Sequence, residues 1–271
     1  MQFSSEDQKI ISQAFSILEN PGFAAKATRT MGSSVEMAMA VLPEKLTASL
    51  VDITRTALGK ALQGALFTLD AGQHGVPANK MHKLLAALSG AAGGSFGVAS
   101  LTIELPISTT IMLRSIADIA RSAGEDITDN EAKLACLEVF ALSDRSQPGD
   151  ASETGYYAIR TLLARSLSEA AAHIGSKGLA KEGAPAVVKL LHSIALRFSV
   201  PVSEKILLQS VPVVGAIGGA SINLLFIRYF QDIAQAHFAI RQLEKKYGHE
   251  VVKNTYQQLA KKRLPGISAA Q

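Results

Sequence analysis

The chain has 271 residues, a net charge of +4, and 48% hydrophobic against 18% charged residues, a greasy composition for a soluble domain but below that of a multi-span transporter. So small a basic excess, interleaved with acids, falls short of a nucleic-acid-binding stripe, and the single cysteine, Cys136, excludes an intrachain disulfide and fits a reducing compartment. Ala, Leu, Ile and Val dominate the apolar content and Trp is absent, so the expected fold is all-α with essentially no strand, large enough to bury a core without staples.

Ser4 to Asp7 followed by Ile10, Ile11, Ala14, Phe15 and Leu18 reads as a capped amphipathic helix stopped by Asn20-Pro21-Gly22. Glu6 and Asp7 stand where an export signal needs basic residues. Met31 to Ala40 carries a second helical pattern. Pro43 opens a longer helix whose Leu46, Leu50, Ile53, Ala57, Leu58, Ala61, Leu62 and Leu66 form one stripe. Gly72 to Pro77 reads as a turn. Helices are also expected over Ser108 to Ala123, Leu134 to Leu142, Tyr156 to Ile174 and Asn223 to Tyr247, with Gly124 and Gly248 as C-cap glycines. Ser143 to Thr154, polar with Pro148 and Gly149, is the expected exposed loop. The implied division is a helical extension over 1–41, a helical domain over 42–256 and a basic, flexible tail over 257–271.

Two segments stand apart from this pattern. No charge occurs between Lys83 and Glu104, and the middle of that stretch is the run from Gly90 to Gly97. None occurs between Lys205 and Arg228, where Pro212, Gly215, Gly218 and Gly219 interrupt an apolar sequence. At about 20 residues and 1.5 Å per residue each is long enough to cross a bilayer. Mid-segment glycines, at about 1 kcal/mol each in a helix, make a Gly/Ala-rich helical hairpin at least as natural as one straight span. Pro77 with Pro201, Gly94 with Gly218 and Gly124 with Gly248 share one sequence offset, a weak sign of internal duplication.

Two blocks are distinctive. Glu104-Leu-Pro106, then Met112-Leu-Arg114-Ser-Ile-Ala-Asp118-Ile-Ala-Arg121, Gly124-Glu-Asp126 and Cys136-Leu-Glu138-Val-Phe140 form the first. The second is Val211-Pro212-Val-Val-Gly215-Ala-Ile-Gly218-Gly219 with Asn223, Asp232, Ala234, His237, Phe238, Arg241, Leu243-Glu244 and Tyr247-Gly248. Together they resemble the EcsC family over roughly Leu42 to Gly248. The resemblance implies a bacterial, membrane-associated protein whose family is named for an operon partner of an ABC transporter. It implies no established biochemical activity and supplies no catalytic residues.

The residues themselves point to lipid or acyl-chain contact through the uncharged segments, since small residues let helices approach closely. The competing reading is a plain core hairpin. Gly94, Phe96, Gly97, Gly218 and Gly219 are the candidate lipid-contacting positions within these segments, with Glu104 and Asn223 beside them. Arg114 and Asp118 are spaced as an ion pair one turn apart, as are Arg121 with Glu125 and Arg228 with Asp232, whereas His237 and Arg241 share that spacing without opposite charge. Their usual meaning is a solvated face. Burial of Arg114 and Asp118 among Ile111, Met112, Leu113 and Ile116 would instead orient the helix or receive a phosphate head group. His237, Arg241 and Glu244 share a face of the last long helix. A histidine beside an arginine is a poor metal ligand and no metal motif occurs, so neither metal nor cofactor is expected.

Gly93-x-Ser95-x-Gly97 has the spacing of a hydrolase nucleophile elbow but not its strand–turn–helix context. Lys245, Lys246, Lys253, Lys261, Lys262 and Arg263 make the C-terminal region basic; near the apolar segments they would favour anionic lipid. The expected function is a non-enzymatic protein of the cytoplasmic face, peripheral to the membrane, that binds lipid or a membrane-protein partner. A serine hydrolase using Ser95, acting on peptide or lipid, is the alternative from another class, and a soluble protein–protein adaptor is a third.

Overall fold

Why the chain folds as it does is clearest in its first helix. In the computed structural model, which describes residues 3–19, 22–31, 44–69, 97–143, 155–177, 184–210 and 212–263, α1 (Ser5–Leu18) starts where Ser4 Oγ accepts the Asp7 N–H at 3.1 Å. That bond satisfies one of the donors a helix start leaves open. Its Ile11, Ala14, Phe15 and Leu18 are buried, so the spacing read from the sequence is its core face.

Eight more helices follow among the described residues: α2 (Phe23–Met31), α3 (Glu44–Leu69), α4 (Gly97–Ser122), α5 (Asn130–Ala141), α6 (Gly155–Lys177), α7 (Pro185–Ser210), α8 (Pro212–Tyr247) and α9 (His249–Arg263). No strand occurs among these residues, and the helices share one core cluster, forming a single helical domain. The expected stripe of α3 is realised in buried Leu50, Ala57, Leu58, Ala61 and Leu62. Gly124 and Gly248 both have positive φ, 81° and 88°. They end α4 and α8 in the left-handed conformation that glycine adopts without a Cβ penalty.

Several boundaries differ from expectation. α2 precedes the pattern over Met31 to Ala40, most of which lies outside the described residues, as do the turn over 72–77 and the expected loop beyond Ser143. α4 begins before Pro106 and α7 runs through Pro201. Leu105 and Val202 beside these prolines are buried, and their packing offsets the lost backbone hydrogen bond. In the second uncharged segment α7 ends at Ser210 and α8 starts at Pro212. α8 is helical from Pro212 through Gly215, Gly218 and Gly219, with proline at its first position where no intrahelical N–H is needed.

α5 sits at the centre. Every residue from Ala132 to Ala141 is buried, Lys133 and Glu138 included, as befits a helix wrapped on all sides by others. α8 is the longest element, 36 residues or about 54 Å at 1.5 Å per residue. It organises its neighbours along that length. α7 runs antiparallel to it, as Gln209 beside Asn223 and Phe198 beside Phe230 show. α4 runs parallel to it, with Ser115 bonded to Gln231 and Glu125 to Arg241 at one constant register.

Candidate functional site

The parallel register of α4 and α8 splits the candidate residues between two ends of the bundle. At one end lie the start of α4, the end of α7 and the start of α8. Lys205 Nζ donates to Glu104 Oε1 at 2.7 Å, with side-chain exposures of 3% and 12%. Burial pulls the Lys205 ammonium below its ordinary range despite the attraction of Glu104. The ammonium also stands 5.2 Å from the centre of the Phe226 ring.

Each of these two charges borders one of the uncharged stretches. Glu104 closes the first and Lys205 opens the second, and their pairing brings the two stretches to one level of the fold. Ile103 beside them is 70% exposed, Ile107 36% and Leu224 40%. Asn223 is buried; its Oδ1 accepts from Gln209 Nε2 at 3.4 Å, and its Nδ2 has no hydrogen-bond partner. Gly97 is the first residue of α4, and Gly218 and Gly219 lie within α8. Gly94, Ser95 and Phe96 fall outside the described residues. Among the described residues one helix, α7, is long and apolar enough to cross a membrane, but half of that stretch is buried in the bundle, as in a core helix.

At the other end, His237, Arg241 and Glu244 meet residues from α5, α6 and the α4–α5 connection. Arg160 on α6 donates two parallel bonds to Glu244, Nη1 to Oε1 at 2.7 Å and Nη2 to Oε2 at 3.0 Å. This is the fork geometry that matches guanidinium to carboxylate. Tyr157 Oη donates to Glu244 Oε1 at 3.0 Å, and His249 Nδ1 lies 3.0 Å from the same oxygen. Arg241 Nε donates to Glu125 Oε1 at 2.8 Å, and Lys245 Nζ stands 2.9 Å from Glu125 Oε2. Burial alone would raise the Glu125 carboxyl; these two cations outweigh it and hold it below the usual range.

Deeper still, Tyr156 Oη lies 3.0 Å from His237 Nδ1 and accepts from Arg160 Nη1 at 3.3 Å. Burial, with help from Arg160 and Arg241, holds His237 well below its ordinary pKa and therefore neutral. Its Nε2 faces Glu138 Oε2 at 3.7 Å, too far for a hydrogen bond. Burial pushes the Glu138 carboxyl up to about 7. Glu138 Oε1 and His237 Nε2 are both buried without hydrogen-bond partners. An open cleft of about 370 Å³ reaches Glu138, with Arg160 and Arg241 also among its lining.

The pairings differ from those implied by one-turn spacing. Asp118 pairs with Arg121, not Arg114, whose buried Nε lacks a partner. Glu125 binds Arg241 and Lys245, not Arg121, and Asp232 pairs with Lys26 of α2. His237 meets Tyr156 instead of Arg241. At Glu125, Asp232 and His237 tertiary packing supplies the partner. Nor are Lys245 and Lys246 beside the apolar segments: they sit at the far end of α8, held by Glu125 and Asp7. Sequence reasoning missed Tyr156, Arg160 and Glu138 as partners of the α8 face. The signal was there for Glu138 alone, an acid inside the apolar run Leu134 to Leu142. Cys136 is buried and its thiol is pushed up to about 12 by desolvation, so it is no nucleophile.

A model of the EcsC protein family matches residues 21–243. No curated protein and no solved structure matches the chain.

Proposed function

The chain belongs to the EcsC family, and we propose that it is a non-enzymatic protein, peripheral to the cytoplasmic face of a membrane, that binds lipid through the apolar end of its bundle. The observation that carries this reading is the Glu104–Lys205 pair. By binding each other in the interior, two of the four charges that border the uncharged stretches are withdrawn from the surface there. What they leave at that level of α4 and α8 is exposed aliphatic surface, Ile103, Ile107 and Leu224. Apolar residues gathered at one end, next to segments without a charge, suit contact with acyl chains better than contact with water. The lone buried cysteine suits a reducing compartment.

The reading is tested by purifying the chain without detergent and extracting it for mass spectrometry. A copurified acyl lipid at near-stoichiometric amount is expected. A lipid-free preparation that also takes up no added phospholipid contradicts it.

A further inference from the structure

The cleft at the polar end lies far along α8 from the proposed lipid-binding end, and its chemistry is of another kind. Its deepest polar group is Glu138, 2% exposed, with Oε1 free of hydrogen bonds. Arg160 and Arg241 line the same cleft, and their pairing with Glu244 and Glu125 fixes their position. Arg241 directs Nε and Nη2 to Glu125. One wall is aliphatic, formed by Leu134, Ala135, Ala164 and Leu167, and Thr161 and Ser168 add hydroxyls. The size, about 370 Å³, is within the range of small-molecule sites.

The geometry points to a binding site for a small organic carboxylate, its carboxyl group held between Arg241 and Glu138 and its carbon skeleton laid along Leu134, Ala135, Ala164 and Leu167. Two guanidinium groups disfavour an amine at this depth. A carboxylate reaching Glu138 must share a proton with it, because two ionised carboxylates at hydrogen-bond distance repel. Glu138 in its acid form donates from one oxygen, and the Arg241 guanidinium donates as well.

The charged and titratable groups around Glu138 set the pH window. From α6 they are Tyr156, Tyr157 and Arg160, from α8 His237, Arg241 and Glu244, from α9 His249, and from α5 itself Glu131. α7 meets α5 through Phe198 on Phe140. His237 is neutral throughout, the arginines stay charged, and Glu138 titrates near neutrality. Binding that requires protonated Glu138 is therefore full below that range and weakens as pH rises through it.

The experiment is calorimetric titration of the full chain with octanoate at pH 6 and pH 8, with octylamine and octanol as controls. Octanoate is expected to bind best and to weaken roughly tenfold at pH 8, one proton being taken up. Glu138→Gln, whose amide donates at any pH, is expected to bind octanoate equally at both. Ala164→Phe, which fills the cleft from an exposed position, is expected to lose at least tenfold in affinity while unfolding at the parent's temperature. Absence of octanoate binding at pH 6, tighter binding of octylamine, or a pH dependence that survives Glu138→Gln each overturns the assignment. Binding unaffected by Ala164→Phe also overturns it, since it would place octanoate elsewhere, such as the apolar end.

Discussion

Glu104 and Lys205 stand 101 residues apart in sequence; Glu104 is the first charge after one uncharged stretch and Lys205 the last before the other. Their buried contact takes both charges away from the surface at that end of the bundle. Taking one partner away would leave a charge in the interior without compensation, which costs more than the intact pair contributes. Lys205→Met is expected to destabilise the fold by about 3 kcal/mol, and adding Glu104→Gln to recover most of that loss. Urea unfolding of the two single variants and the double variant measures both.

Glu138 gives stability a specific pH dependence. Its carboxyl is held near 7 in the fold against an ordinary value of 4.5, so the folded state keeps a proton that the unfolded chain has released. That contribution is full below about pH 4.5 and is lost as pH rises through about 7. The difference amounts to roughly 3 kcal/mol at most. Glu138→Gln abolishes the titration, so its unfolding temperature should exceed the parent's increasingly between pH 5 and pH 8. Parallel melting curves across that range would show that Glu138 ionises freely in the fold.

Asp7 works in the opposite sense. Hydrogen bonds from Lys246, Tyr247 and Ser4 lower its carboxyl to about 2, so the hold of α1 on the end of α8 is complete above the ordinary value of 3.8 and is lost as pH falls toward 2. Asp7→Asn keeps the shape and removes the charge. Amide hydrogen exchange in α1 is expected to accelerate while exchange in α5 stays unchanged, and equal acceleration of both would show that α1 is not separately anchored by this residue.

Glu244 holds Arg160, Tyr157 and His249 at once. Glu244→Ala would strand the Arg160 guanidinium in the interior, and a loss of about 3–5 kcal/mol is expected. Chemical denaturation checks this; a loss below 1 kcal/mol would mean that Arg160 finds another partner at no cost.

These effects were unevenly legible in the sequence. Leu50, Ala57, Leu58, Ala61 and Leu62 announce the buried face of α3 because a 3.6-residue period is a local property. Gly124 and Gly248 announce helix ends because the left-handed conformation is costly to other residues. The face shared by His237, Arg241 and Glu244 was legible for the same periodic reason. Its partners were not, because Arg160 and Glu125 reach it only through the packing of α6 and α4 on α8. One-turn charge spacing misled at Arg114 with Asp118 and at Arg228 with Asp232 since exposed helical pairs are worth only about 0.2–0.5 kcal/mol. Any tertiary contact of better geometry displaces them, as Lys26 does at Asp232.

Contact between the apolar end and lipid can be read directly by vesicle flotation without detergent. The parent chain should float with both neutral and anionic phospholipid vesicles. The double variant Ile103→Lys with Leu224→Lys, which alters exposed positions alone, should remain at the bottom of the gradient while keeping its helical circular dichroism. Lys245→Ala, at the far end of α8, should float like the parent. A parent chain that never floats, or a double variant that floats as well as the parent, would contradict the account.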